Sequence, residues 1–163
     1  MSGFYRSVPG TCLALELAPV PEAGFSHATD VTVRFAETDA QGIAHNASYL
    51  VWYEVARVDY LARFTGGYNR IREQGIEALT IESHVRYLGA VFFDDRLRIN
   101  IRCGELRGAR FRFDYLIDRL TDGADPEPVA DGWTLHATVD RDTLRPTRLP
   151  DWLREAIDGA ESR

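Results

Sequence analysis

A chain of 163 residues, 45% hydrophobic and 27% charged, is long enough to bury the core of one domain. Its formal net charge of −6 argues against a general nucleic-acid binder, yet leaves room for a local basic patch toward an anionic substrate. The two cysteines, Cys12 and Cys103, have neither metal-ligand spacing nor a disulfide-rich context, and the run 11–19 that comes nearest to a signal sequence is broken by Glu16, so a cytoplasmic protein with no membrane partner is expected.

Residues 1–27 contain glycine, proline and serine without a clear period and read as an N-terminal extension, with a short strand near 12–17; residues 28–163 read as the domain. At 30–37, Val31, Val33 and Phe35 alternate with Thr32 and Arg34, the pattern of a half-buried strand. A loop over 38–45 follows. Asn46 or Ser48 has the side chain to cap a helix running to about Phe64. Tyr49, Tyr53, Ala56, Tyr60 and Phe64 share one face of it, and Leu50, Val51, Val55, Val58 and Leu61 fill much of the rest, so burial around most of the circumference is expected. Asp59 and Arg63 stand at i,i+4 in the favourable order. Gly66 and Gly67 end the helix, and 68–74 forms a second, short one closed by Gly75.

Four alternating runs come next. Their expected inward residues are Leu79, Ile81, Ser83, Val85 and Tyr87; then Leu97, Ile99, Ile101 and Cys103; then Phe111, Phe113, Tyr115 and Ile117; then Trp133, Leu135, Ala137 and Val139. Such period-two patterning implies antiparallel strands with one wet face, joined as a meander through a tight link at 106–108 and a longer one at 121–128. Pro146 and Pro150 precede a short helix at 152–157. One strand, one buried helix and a meander make an α+β domain in which a curved antiparallel sheet wraps the helix, because nothing else in the chain can bury it.

The chemistry concentrates just ahead of that helix, in ETDAQGIAHNASYLVWYEVAR. A carboxylate, Asp39, precedes a helix N-terminus whose unpaired N–H groups can hold a developing oxyanion, an arrangement suited to hydrolysis. Gly42 permits either a turn closed to other residues or a close approach to substrate. The segment resembles the opening of the 4-hydroxybenzoyl-CoA thioesterase family of hotdog proteins, in the acidic residue Asp39, Gly42 after two variable positions, the apolar Ile43-Ala44, the pair His45-Asn46, and Tyr49 at the helix start.

The resemblance covers roughly 30–140 and implies an acyl-CoA thioesterase that hydrolyses its substrate to free acid and CoA without metal or redox cofactor. It assigns Asp39 as nucleophile or general base, the Asn46 backbone N–H as the group polarising the thioester carbonyl, and His45 as a group orienting substrate or water. Gly42, Ile43 and Tyr49 would meet the substrate. Glu54, on the helix, is a reserve acid in another hotdog branch, or a partner for Arg57 at i,i+3. Arg86, with Arg96, Arg98, Arg102, Arg107, Arg110 and Arg112, is apt for the phosphates of CoA, although exposed strands also pair such residues with carboxylates as routine. The plainer readings are a loop aspartate capping its own turn, a helix-capping Asn46 and a His45 that is only a loop residue. No pair among His27, His45, His84 and His136 has zinc-ligand spacing. Open sheet edges imply a homodimer, and the family adds a homotetramer. Thioesterases of acyl-carrier protein, hotdog dehydratases and non-catalytic acyl-CoA binding proteins are the alternatives.

Overall fold

A computed structural model describes residues 24–163. Cys12, the short strand at 12–17 and most of the extension lie outside the described residues. In chain order the elements are β1 (His27–Thr32), α1 (Ser48–Thr65), α2 (Tyr68–Glu73), β2 (Ile76–Tyr87), β3 (Arg96–Arg107), β4 (Arg110–Leu120), β5 (Glu127–Asp140) and α3 (Asp151–Glu161). The five strands form one antiparallel sheet in the order β1-β3-β4-β5-β2. The α+β expectation of a curved sheet around a long helix holds; this is the hotdog arrangement.

Trp52, Tyr53, Ala56 and Tyr60 of α1 pack on Leu97, Ile99, Ile101, Phe113, Tyr115 and Ile117 of the sheet's inner face, all of them buried. Tyr53 lies flat on Tyr115, with ring centroids 3.9 Å apart. Gly66 ends α1 at φ 84, and the Gly67 N–H reaches back to the Leu61 carbonyl at 3.0 Å. Among the described residues no helix is long and apolar enough to cross a membrane.

The meander expectation is corrected in its connectivity. Only β3-β4-β5 are consecutive neighbours; β2 crosses the domain to pair with β5, and β1 takes the place beside β3. The first strand is also displaced. It stops at Thr32, after which Arg34 and Glu37 close a 3-10 turn at Phe35–Glu37. Val33 still faces the core, but Phe35 is 77% exposed.

Two face assignments invert. In β2 a bulge between Thr80 and Glu82 shifts the phase: of the expected inward residues only Val85, across from Gly132, is half-buried, while Leu79, Ile81, Ser83 and Tyr87 are exposed. In β5, Trp133, Leu135, Ala137 and Val139 were expected inside; Val139 is buried, but Thr134, His136 and Thr138 are buried in place of the other three. The register with β4 decides this, placing His136 opposite Phe111 and Thr134 opposite Phe113. Trp133 stays on the outer face, stacked on His84 and under the Arg112 guanidinium.

Further local departures have side-chain causes. Asp59 accepts from His27 and Thr29 of β1, at 2.8 and 2.7 Å, and not from Arg63. The C-terminal helix runs on to Glu161, whose Oε1 accepts from Ser26, Tyr60 and the Cys103 N–H. Helix α1 is not buried all round, because Leu50, Val51, Val55 and Val58 form an exposed apolar stripe.

Gly132 of β5 shows how closely helix and sheet approach. A Cβ there would lie 2.1 Å from the His84 carbonyl oxygen and 2.7 Å from the Tyr53 hydroxyl. The first neighbour is backbone and cannot swing aside. Gly132→Ala should therefore destabilise the fold by about 1–3 kcal/mol, read as a lower urea midpoint at unchanged slope.

Candidate active site

Glu37 organises the segment that carries the motif. Its buried carboxylate accepts the Arg34 backbone N–H at 2.8 Å, the Arg34 guanidinium at 2.7 Å and the Trp52 indole N–H at 3.1 Å. Its carbonyl oxygen accepts the His45 N–H at 2.8 Å and the Ser48 hydroxyl at 2.9 Å. One residue thus joins both ends of the loop 38–45 to the first turn of α1. Burial pushes the Glu37 pKa up, but the hydrogen bonds from Arg34 and Trp52 and the Arg34 charge outweigh it and hold the carboxyl below its usual range.

A carboxylate with a depressed folded pKa adds stability above its unfolded pKa, about 4.3 for glutamate, and that contribution is lost as pH falls through the lower folded value. Glu37→Gln should therefore lower stability at neutral pH and flatten the loss of stability on the acid side. Denaturant midpoints measured from about pH 6 down to about pH 3 check this; parallel curves for the two proteins would remove Glu37 as the cause.

Inside the loop, the Asp39 N–H donates to the Ile43 carbonyl at 2.9 Å, and the Asp39 carbonyl accepts the Gly42 N–H at 3.0 Å. Asp39 Oδ1 accepts the Gln41 N–H at 2.7 Å, so the aspartate does fix its own turn. Its Oδ2 carries no hydrogen bond among the described residues. Gly42 has φ 78, and a Cβ built on it meets nothing within 4 Å, so the glycine serves the left-handed turn and not a close approach.

At the helix entrance the capping expectation is corrected. Helix α1 begins at Ser48 behind Ala47, with no side-chain cap from Asn46 or Ser48. The Ser48 hydroxyl is drawn instead to Glu37, and the His45 ring takes the capping place, Nδ1 accepting the Ala47 N–H at 3.1 Å. An accepting Nδ1 puts the proton of the neutral ring on Nε2. The Asn46 carbonyl accepts the Tyr87 hydroxyl at 3.3 Å, while the Asn46 N–H donates to no acceptor among the described residues.

These residues open onto a cleft of about 560 Å³. Asp39, Gln41, Ile43, His45, Asn46 and Tyr49 form one side; Tyr87, Leu88, Gly89, Ala90 and Val91 form the other. Tyr49 is buried beneath it, its ring 4.8 Å from that of Tyr87, and burial pushes its phenol up to about 12. The 88–91 wall escaped the sequence reading because it belongs to no periodic element. Its one sequence signal is the Leu-Gly-Ala-Val run after a strand end, tied to the motif by the Ala44 N–H and Val91 carbonyl at 2.7 Å.

Glu54 and Arg86 do not line the cleft. Glu54 lies further along α1 and makes no ion pair with Arg57. Arg86 engages the buried Asp131 across the strands on the outer face. Arg96, Arg98, Arg102 and Arg112 are likewise paired with Asp122, Asp30, Asp114 and, for Arg112, Asp114 and Glu105. Arg107 and Arg110 have no carboxylate within ion-pair distance among the described residues, and their hairpin is bonded to the stretch carrying Arg145 and Arg148 through the Leu149 N–H and the Gly108 carbonyl.

A model of the thioesterase-like superfamily matches residues 33–157. The chain is 29% identical to the 1,4-dihydroxy-2-naphthoyl-CoA hydrolase of Thermosynechococcus vestitus, over 81% of this chain and 91% of that protein. It is 28% identical to the acyl-CoA thioesterase YbgC of Haemophilus influenzae, over 82% of this chain and 94% of the relative. The crystal structure of DHNA-CoA thioesterase from Staphylococcus aureus superposes with a TM-score of 0.73 at 27% identity, covering 83% of this chain and 90% of that one. The family that the motif resembled is thereby confirmed: the chain belongs to the thioesterase-like superfamily and has its hotdog fold.

Proposed function

We propose that the protein hydrolyses an acyl-CoA thioester to the free acid and CoA, with Asp39 and the Asn46 N–H as the working groups. The observation that carries this reading is their meeting in one cleft: a carboxylate with an unbonded Oδ2 and a helix-entrance N–H with no protein acceptor among the described residues. The thioester carbonyl oxygen takes that N–H, which stabilises the oxyanion formed on attack. Asp39 either adds to the carbonyl carbon, expelling the CoA thiolate and leaving an anhydride for water to open, or takes a proton from the attacking water. Gly42 shapes the turn; Ile43, Tyr49 and the 88–91 wall bound the space for the acyl group. The relatives named as hydrolases of CoA thioesters support the substrate class.

The cleft is shared between two subunits in this reading. Among the described residues strand β2 is a sheet edge with Leu79 and Ile81 exposed, next to the apolar stripe of α1. Two β2 edges pairing antiparallel about a two-fold bury both features. The Ile76 end of one strand then lies beside the Tyr87 end of its partner, bringing Arg107, Arg110, Arg145 and Arg148 toward the other subunit's cleft, where they suit the phosphates of CoA. Light scattering should give at least twice the 18.4 kDa of one chain, and Val55→Glu should both split the assembly and lower hydrolysis. A fully active monomer would contradict the shared cleft.

A thiol-release panel of short, long, branched and aryl CoA esters tests the activity. Matched acyl-carrier-protein substrates separate the two carriers. Binding of CoA with no turnover across the panel would overturn hydrolysis in favour of a binding protein.

A further inference from the structure

A second cavity, of about 320 Å³, lies within the subunit between the three helices and the inner face of the sheet. It shares no lining residue with the cleft. At 1.5 Å per residue, Arg57 in its wall is roughly 16 Å along the helix from Asn46, beyond the reach of a compact acyl group held at the cleft.

The cavity is apolar on most sides, through Leu61, Ile71, Phe111, Phe113, Leu153 and Ile157. Its remaining side is polar because the register of β5 turns Thr134 and His136 inward. His136 Nε2 lies 2.8 Å from Thr134 Oγ1, which lies 2.9 Å from the Tyr115 hydroxyl. The Arg57 guanidinium lines the same space, close to Tyr115 and His136, and has no carboxylate within ion-pair distance among the described residues. Glu54 stands at the exposed mouth without pairing to it. Burial, with the Arg57 charge, pushes the His136 pKa down to about 3, so the imidazole is neutral, its Nε2 on Thr134 and its Nδ1 3.3 Å from the Thr80 hydroxyl, and Arg57 brings the positive charge.

A cation without a carboxylate partner, set in an aromatic and aliphatic box, complements an anion with an apolar body. The volume is roughly twice the 150 Å³ that accommodates benzene, room for about a dozen heavy atoms. We propose that this cavity binds a compact aryl or alkyl carboxylate, with its carboxylate on Arg57 and its body against Phe111, Phe113 and Leu153. The choice of ligand rests on the thioesterase reading, since hydrolysis releases acids of this class; the cavity and its charge do not.

Calorimetric titration of the full chain with benzoate, phenylacetate and octanoate, each beside its neutral amide, tests this. One acid should bind per chain, with the amide at least about tenfold weaker. Binding should persist in Asp39→Asn and under saturating CoA. It should be lost in Arg57→Met and also in Ala78→Phe, which fills the cavity and leaves the guanidinium in place. If Arg57→Met fails to fold, Ala78→Phe and the acid-to-amide ratio still decide. Equal binding of acid and amide, displacement of the acid by CoA, or no binding at millimolar acid would each overturn the proposal. Acid binding without hydrolysis of any acyl-CoA would sink the thioesterase reading alone, and hydrolysis without acid binding would sink the cavity alone.

Discussion

Asp39→Asn should lower the rate of thioester hydrolysis by about 10²–10⁴-fold while leaving the fold intact. The substitution is informative because of the turn around it. Asparagine keeps an Oδ1 acceptor for the Gln41 N–H, so the loop bonds that place residue 39 persist, and what disappears is the charge and basicity of the second oxygen. Thiol release measured beside circular dichroism separates chemistry from folding. Near-normal turnover in this variant, with turnover lost in Glu54→Gln, would move the catalytic acid onto the helix; the placement of Glu54 outside the cleft points the other way.

Asn46→Pro should be folded and slower by about 10²–10³-fold, the usual consequence of removing one oxyanion donor. Proline deletes the N–H but keeps the carbonyl that accepts the Tyr87 hydroxyl, and it is tolerated at helix entrances. Asn46→Ala keeps the N–H. Its stability should barely change, because the Asn46 side chain caps nothing. The diagnostic result is a near-normal alanine variant beside a nearly inactive proline variant. Since proline also restricts His45, which holds Glu37 through its own N–H, secondary structure and oligomer size belong in the same experiment. Equal losses in both variants, with structure retained, would shift the role to the Asn46 side chain.

Local patterning by itself determined much of this protein. The helical spacing of Tyr49, Tyr53, Ala56 and Tyr60 and the paired glycines 66 and 67 set the long helix and its end, because both depend on residues near in sequence. The strict alternation of β3 and β4 set their buried faces for the same reason. The motif from Asp39 to Tyr49 named the family and the loop to inspect. What the alternation could not decide was any feature fixed by a partner distant in the chain. The inward face of β5 followed its register with β4, against its own hydrophobic pattern, and that choice buried His136 and made the second cavity polar. The bulge at Ile81 reversed half of β2, and the pairing of β2 with β5 placed it at one edge of the sheet among the described residues. The far wall of the cleft, residues 87–91, came to Asp39 only when that edge strand ended beside the start of α1. Side-chain roles moved for a related reason: Asp59, Arg86 and Ser48 have several partners within chain reach, and only the packed structure shows which of them each one meets.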